Sequence, residues 1–280
     1  MITQCNYSVL MSVYKNEKAD FLRSAINSIF EQTVLTNDFV IVCDGPLSEE
    51  LDAVISEAQD AHKDVLHIIR LEKNMGLGRA LNIGIKECKN ELVARMDSDD
   101  ISRPDRCEKQ ISVFNKNGEI SVCSGTVEEF AFFTDNIEAK RVLPENNGDI
   151  VEFSRKRNPF NHPCVMYKKS AVEAAGSYQD FYLLEDYYLW IRMLQKGYKG
   201  YNIQEPILWM RAGSDMYKRR SGLKYTKSQE ALFRYMRKVG FISTSQYLKS
   251  VITRGVSSLI PNSIRKLAYK KVLRESRDNQ

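Results

Sequence analysis

Glu91-Leu92-Val93-Ala94-Arg95-Met96-Asp97-Ser98-Asp99-Asp100 is the stretch on which the fold turns. Glu91 to Met96 reads as a mostly apolar run of strand length, and it ends in three carboxylates within four positions. Acids packed this closely repel one another unless a cation or a solvated turn compensates. Parallel sheets bind ligands at the carboxyl ends of their strands. An acidic strand end therefore marks either a cation site or a solvated turn that caps the next helix. Hard oxygen ligands suit Mg2+ or Mn2+, which bridge a site to substrate phosphates while retaining waters.

Upstream of this stretch, strand and helix patterns alternate. Tyr7 to Val13 is a β-rich run, and Phe21, Leu22, Ala25, Ile26, Ile29 and Phe30 recur at helical spacing. Phe39 to Cys43 is a strand entering the turn Asp44-Gly45-Pro46, and Leu47 to Ala61 reads as a helix. Val65 to Leu71 is a third strand and Gly78 to Cys88 a third helix. Such alternation predicts an α/β fold with a mostly parallel central sheet flanked by helices. Downstream, Pro104 and Asp105 open a helix that Gly118 closes, and Ile120 to Ser124 is a strand. The region from 119 to 215 is less regular: a short strand falls within Asn158 to Tyr167, a helix spans Leu184 to Lys196, and a strand spans Pro206 to Arg211. Beyond Lys218 only helical patterns remain, with breaks expected at Gly240, Gly255 and Pro261.

The chain has 280 residues, 43% hydrophobic and 28% charged, values that belong to a folded protein and not to a disordered one. That length accommodates one large domain, or one domain plus a tail. The six cysteines are scattered without a C-x-x-C pair, as expected of buried thiols in a reducing cytoplasm. No run reaches the roughly 18 apolar residues of a spanning helix, and the N-terminus lacks a signal-peptide core, so a protein neither secreted nor membrane-spanning is expected. The net charge of +5 is unevenly spread: residues 1–215 hold 25 Lys/Arg against 33 Asp/Glu, about −8, and 216–280 hold 16 against 3, about +13. The division expected is a catalytic domain over 1–215, with halves at about 1–118 and 119–215, followed by a basic amphipathic helical tail over 216–280.

Three further segments could carry chemistry. Asp44 is a carboxylate at a strand's end; an isolated Asp-Gly is commonly a turn, but with neighbouring strands it would share a rim with Tyr14 and Asp97 to Asp99. Asn74-Met75-Gly76-Leu77-Gly78-Arg79 is a glycine-containing loop entering a helix, whose arginine could face phosphate. It matches neither G-x-G-x-x-G nor the P-loop. Glu185 and Asp186 precede an aromatic-rich helical face that includes Trp190; they are either ordinary helix-start acids or a general base for a hydroxyl nucleophile. Histidine clusters suited to metal and a G-x-S-x-G element are missing from the sequence.

In order and spacing, five motifs resemble the family 2 glycosyltransferases of GT-A fold, above all the bacterial members that build capsule, O-antigen and amylovoran-like polysaccharides. They are Ser8 to Glu17, Cys43-Asp44-Gly45, Asn74-x-Gly-Leu with Arg79 to Asn82, Ala94 to Asp100, and Leu184-Glu185-Asp186. The resemblance covers about residues 7–211. It implies that Val13, Tyr14 and Glu17 line the nucleotide base and ribose, that Asp44 contacts the base, and that Asn74, Arg79, Ser98 and Arg211 belong to the donor side. Asp97 and Asp99 match the D-x-D element, with Asp99 the direct ligand of Mn2+ or Mg2+ and Asp97 nearer the ribose. Asp186 matches the catalytic base with Glu185 beside it, and His162 and Trp190 fall on the acceptor side. Cys43 departs from the pattern, since many relatives carry an aspartate there. The implied activity is inverting transfer of a hexose from a nucleotide diphosphate sugar, UDP-galactose or UDP-glucose, to a lipid-linked glycan in bacterial surface polysaccharide synthesis. The competing readings are a sugar nucleotidyltransferase, whose glycine-rich N-terminal loop is missing here, and a non-catalytic membrane or nucleic-acid module, disfavoured by the acidic balance of 1–215.

The tail has its own signature. Ile264, Leu267, Ala268 and Val272 form a helical stripe among Arg265, Lys266, Lys270, Lys271 and Arg274, and Tyr247 to Arg254 has similar character. Such helices lie in anionic membrane interfaces or pack on a domain with a solvated basic face. The membrane reading places the protein in the cytoplasm, peripheral on the inner face of the cell membrane.

Overall fold

A computed structural model describes residues 6–131, 134–211 and 222–259. Strand β1, Tyr7–Val13, shows how the sheet takes a core on each side. Tyr7, Val9, Met11 and Val13 pack with Leu22, Ile26 and Ile29 on one face, while Leu10 packs with Leu81 and Ile85 on the other. That is the period of two by which a strand feeds two layers. Helix α1 (Ala19–Phe30), β2 (Asp38–Cys43), α2 (Glu49–Ala61), β3 (Leu66–Arg70), α3 (Leu77–Glu87) and β4 (Leu92–Asp97) follow the expected alternation. Strand β1 lies between β2 and β4, parallel to both, and β3 pairs with β2. The ends of β1, β2 and β4 therefore share one rim.

After the short β5 (Ile101–Ser102) and α4 (Arg106–Lys116), the chain forms β6 (Ile120–Phe130) and β7 (Ile137–Arg141), then α5 (Asn147–Ser154) and a single 3-10 turn at His162–Cys164. It continues through β8 (Met166–Lys168), α6 (Lys169–Ala174), α7 (Glu185–Gln195) and β9 (Lys199–Arg211). The sheet order is β3-β2-β1-β4-β8-β6-β9-β5, with β7 beside β6. The parallel ladders β1–β2, β1–β4, β2–β3 and β6–β9 are the long ones. The antiparallel pairs of β8, β5 and β7 are short. The result is the mixed, helix-flanked α/β architecture of the GT-A fold.

The second half departs most from the sequence-based reading. Strand β6 runs on past Ser124 through Glu128 and Glu129, which are buried. Glu128 is neutralised there by Arg103 at 2.7 Å and Lys140 at 3.2 Å. Strand β9 starts at Lys199, seven residues before Pro206, because Gly200 lets Phe160 pack against the backbone: a Cβ there would lie 2.4 Å from the Phe160 ring. Helices α5 and α6 and strand β7 were not anticipated.

Two helices close the described chain, α8 (Leu223–Lys238) and α9 (Thr244–Leu259). Leu232, Phe233 and Met236 of α8 pack with Leu184, Tyr187 and Ile191 around α7. The break at Gly240 is present, with φ 72°, but the one expected at Gly255 is not, since α9 runs through it. The stripe from Ser263 to Glu275, like Pro261, lies outside the described residues. Cys43, Cys88, Cys107, Cys123 and Cys164 are buried and free. Among the described residues, no helix is long and apolar enough to cross a membrane.

Candidate active site

The rim is built from loop backbones locked to one another. At the end of β2, Asp44 accepts the N–H groups of Met75 at 2.6 Å and Gly76 at 3.0 Å, and Asn74 Nδ2 donates to the Asp44 carbonyl at 3.1 Å. Gly45 has φ 90°, and a Cβ there would meet the Asn74 nitrogen at 2.6 Å, so only glycine permits this approach. Asp44 thus holds the loop that leads into α3. Val13, expected to line the base, has its side chain buried in the core, and its carbonyl accepts the Asp44 N–H at 2.7 Å. Tyr14 is exposed at the rim. Glu17 points inward, where Ser98 Oγ donates to its carboxylate at 2.7 Å.

Asp97, Asp99 and Asp100 bring carboxylate oxygens within 4.8 Å of one another. Arg95, buried beneath them in β4, pairs with Asp97. Asp100 is not the solvated turn residue considered above; it is buried and accepts the Arg211 N–H at 2.8 Å. The Arg211 guanidinium donates to the Asp99 carbonyl at 3.0 Å and lies between the rings of Phe21, at 3.8 Å, and Phe130, at 4.6 Å. This bond ties the end of β9 to the acidic turn.

A further wall is the N-terminus of α7. Leu183 adopts φ 57°, the left-handed region, immediately before the helix. Gly78 allows α3 and α7 to meet: its added Cβ would lie 3.1 Å from the Gln179 carbonyl oxygen and 3.3 Å from Glu185 Cβ. Asp186 accepts from Asn158 Nδ2 at 2.6 Å. Arg79 lies exposed at the start of α3, paired with Asp180 at 3.3 Å. Below this wall His162 is buried, its Nε2 3.0 Å from Tyr178 OH. Trp190, expected on the acceptor side, is corrected: it is wholly buried against Phe160, His162 and Tyr167, so it supports the wall from behind and offers a substrate no surface.

Electrostatics join the two sets of acids. Burial, then the negative charges of Asp97 and Glu17, push the Asp99 carboxyl up to about 7, with Arg95 opposing. Burial, then Asp186, raise Glu185 to about 7 as well; Asp97 adds to the rise and Arg95 again opposes it. Asp97 and Arg95 therefore act on both sets, which face one site. Asp100 is also raised well above its ordinary value, chiefly by burial. His162 is driven well below its ordinary value by burial and by Arg95, and so stays neutral. Closely spaced oxygens whose ionisation is resisted by mutual repulsion fit a hard divalent cation, with Asp97 and Asp99 as the partly accessible pair.

Arg95, Asn158 and Tyr178 were not singled out from sequence. The available signal for Arg95 was a charge inside an otherwise apolar strand two residues before Asp97. Asn158 and Tyr178 gave no local signal, because their partners are remote in the chain.

The profile described as glycosyl transferase family 2 matches residues 8–176. Over 268 residues the chain is 40% identical to the amylovoran biosynthesis glycosyltransferase AmsE of Erwinia amylovora, covering 95% of this chain and 98% of that one. It is 39% identical over 270 residues to an Escherichia coli UDP-Gal:alpha-D-GlcNAc-diphosphoundecaprenol beta-1,3-galactosyltransferase, covering 96% of each. Among solved structures, a mannosyltransferase of Pyrobaculum calidifontis in complex with GDP-Man and Mn2+ superposes with a TM-score of 0.65 at 13% identity, covering 97% of this chain and 76% of that one. Staphylococcus aureus TarS 1–349 in complex with UDP-GlcNAc gives 0.65 at 14%, covering 96% and 76%. At such identities these structures establish the fold.

Proposed function

The chain belongs to glycosyltransferase family 2, and we propose that it is an inverting hexosyltransferase that moves a sugar, galactose or glucose, from its UDP donor to a lipid-linked glycan of a bacterial surface polysaccharide. The observation that carries this reading is the gathering of Asp97 to Asp100 and Glu185-Asp186 around buried Arg95 at one rim. The printed activity of the Escherichia coli relative supports the donor and the lipid-linked acceptor.

Asp186 takes the proton of the acceptor hydroxyl at a carboxylate oxygen, held in place by Asn158. The freed oxygen attacks the anomeric carbon from the face opposite the nucleotide, and the bond to the diphosphate breaks with its electrons leaving on phosphate. Tyr14, Glu17, Asp44, Asn74 and Ser98 form the donor wall. Arg79 and Arg211 supply positive charge toward the diphosphate. Asp99 and Asp97 would hold Mn2+ or Mg2+, which when bound neutralises negative charge on the departing group. His162 and Tyr178 brace the acceptor side. Residues 1–215 make the catalytic domain, and the basic segment 216–280 holds it, peripherally, against the cytoplasmic face of the membrane.

A panel of nucleotide sugars tested for hydrolysis and for transfer with added Mn2+ decides the matter. UDP-galactose or UDP-glucose should be consumed, with consumption lost in Asp99→Asn and transfer alone lost in Asp186→Asn. A fully active Asp186→Asn enzyme would remove that residue from the role.

A further inference from the structure

Asn158, which donates to Asp186, is preceded by Arg155-Lys156-Arg157 at the C-terminal end of α5. Arg155 is engaged with Glu152 at 2.8 Å. Lys156 and Arg157 are exposed, and among the described residues neither side chain has a hydrogen bond or an ion pair. Several neighbouring cations already have protein partners: Arg95 with Asp97, Arg79 with Asp180, Arg103 and Lys140 with Glu128, Arg192 with the carbonyls of Ala175 and Ser177, and Arg211 with that of Asp99.

A second observation gives this pair a direction. Arg254 of α9 donates to the Lys156 carbonyl at 2.6 Å and lies 4.4 Å over the Phe233 ring, which straps α9 to the cationic segment. At roughly 100° per residue, Leu248 and Ile252 fall on the side of α9 away from Arg254. Both are exposed, 53% and 65%. The two cations without counter-ions thus sit in the chain between the Arg254 contact and Asn158, whose amide holds Asp186, while the exposed apolar pair lies on the opposite side of α9. A diphosphate bound to these cations would stand next to the sugar hydroxyl that Asp186 receives.

We propose that Lys156 and Arg157 bind the diphosphate of the lipid-linked acceptor and so present its sugar to Asp186. The inference rests on the lipid-linked acceptor of the functional reading. A diphosphate offers several anionic oxygens to two adjacent donors, and charge-assisted hydrogen bonds of this kind are the strong ones.

The test uses the full chain and its Lys156→Gln/Arg157→Gln variant with two soluble acceptors, a GlcNAc α-diphosphate bearing a short alkyl chain and the same sugar and chain joined by a neutral linker. The variant should raise KM for the diphosphate acceptor roughly tenfold or more. Its kcat, its donor KM and its KM for the neutral-linked acceptor should stay as in the parent. The Lys156 carbonyl that receives Arg254 survives both substitutions, and an unchanged donor KM reports the fold. An unchanged KM for the diphosphate acceptor, or an equal rise for both acceptors, would overturn the proposal. So would an effect seen only when anionic vesicles are added and not with zwitterionic ones, because the cations would then serve membrane headgroups. Transfer without any preference for the diphosphate sinks this site alone, whereas the lack of transfer from every donor sinks the functional reading beneath it.

Discussion

Arg95 is the residue on which the site's charge balance depends. It is buried, pairs with Asp97, and opposes the rise of both Asp99 and Glu185. Arg95→Met removes the cation and leaves partly buried carboxylates uncompensated, so unfolding free energy should fall by about 3 kcal/mol, read by urea denaturation. Transfer should fall with it, since Asp97 loses its anchor. Glu185 makes a pH prediction. Its carboxyl, ordinarily near 4.5, is raised to about 7 by burial and by Asp186. The ionised pair therefore forms as pH rises through neutrality, and kcat/KM should climb between pH 6 and pH 8. Glu185→Gln takes a negative charge from beside Asp186, which makes Asp186 easier to ionise and should move this limb to lower pH. A limb that stays in place would exclude Glu185 as its origin. The carboxylates of both sets were legible because they sit in local patterns, a strand end and a helix start. Arg95, Asn158 and Tyr178 were not, because what each does depends on a partner brought near only by folding.

The same divide holds among the elements. Strands β1 to β4 alternate with helices whose apolar spacing is unambiguous, and their parallel order followed from that alternation. Strand β6 runs on past Ser124 through two acids of the kind that usually mark a solvated loop, and Arg103 and Lys140, from elsewhere in the chain, neutralise the first of them, Glu128. Trp190 was assigned to the substrate for a similar reason: an aromatic face on a helix does not say which of its rings faces the core. What brings the two halves of the site together is the meeting of α3 with α7 at Gly78. Gly78→Val would force the start of α3 away from the Gln179 carbonyl and Glu185. Overpacking of this sort costs roughly 1–3 kcal/mol, so the protein should still fold, as near-ultraviolet dichroism would report. Transfer should drop at least tenfold, because displacement of a catalytic group by about 1 Å costs about a hundredfold in rate. Wild-type turnover in this variant would show that the close contact is dispensable.

Across the whole molecule, charge is polarised toward the C-terminal end. Residues 216–280 carry about +13 against about −8 for the remainder. Helix α8 covers α7 with Leu232, Phe233 and Met236, and of its large apolar residues Leu223, at its first position, is left exposed. Its outward residues Lys224, Lys227, Arg234, Arg237 and Lys238 are exposed. Helix α9 differs, for Leu248 and Ile252 are exposed one turn apart with Lys249 beside them. A solvated basic helix has no use for an apolar pair on its outer side, whereas an interfacial helix needs one to reach the acyl boundary. Each buried aliphatic side chain is worth about 1.5–3 kcal/mol and each cation about 1 kcal/mol at an anionic surface. Leu248→Ser/Ile252→Ser should therefore cut the fraction that co-sediments with anionic vesicles at least tenfold while leaving the thermal midpoint within a few degrees, since neither residue supports the core. Raising the salt should release the parent protein as well, because the cationic contribution is screened within a Debye length of about 8 Å at physiological ionic strength. If the variant bound vesicles as the parent does, α9 would not be the membrane face, and the cations of 216–280 would have to act without it.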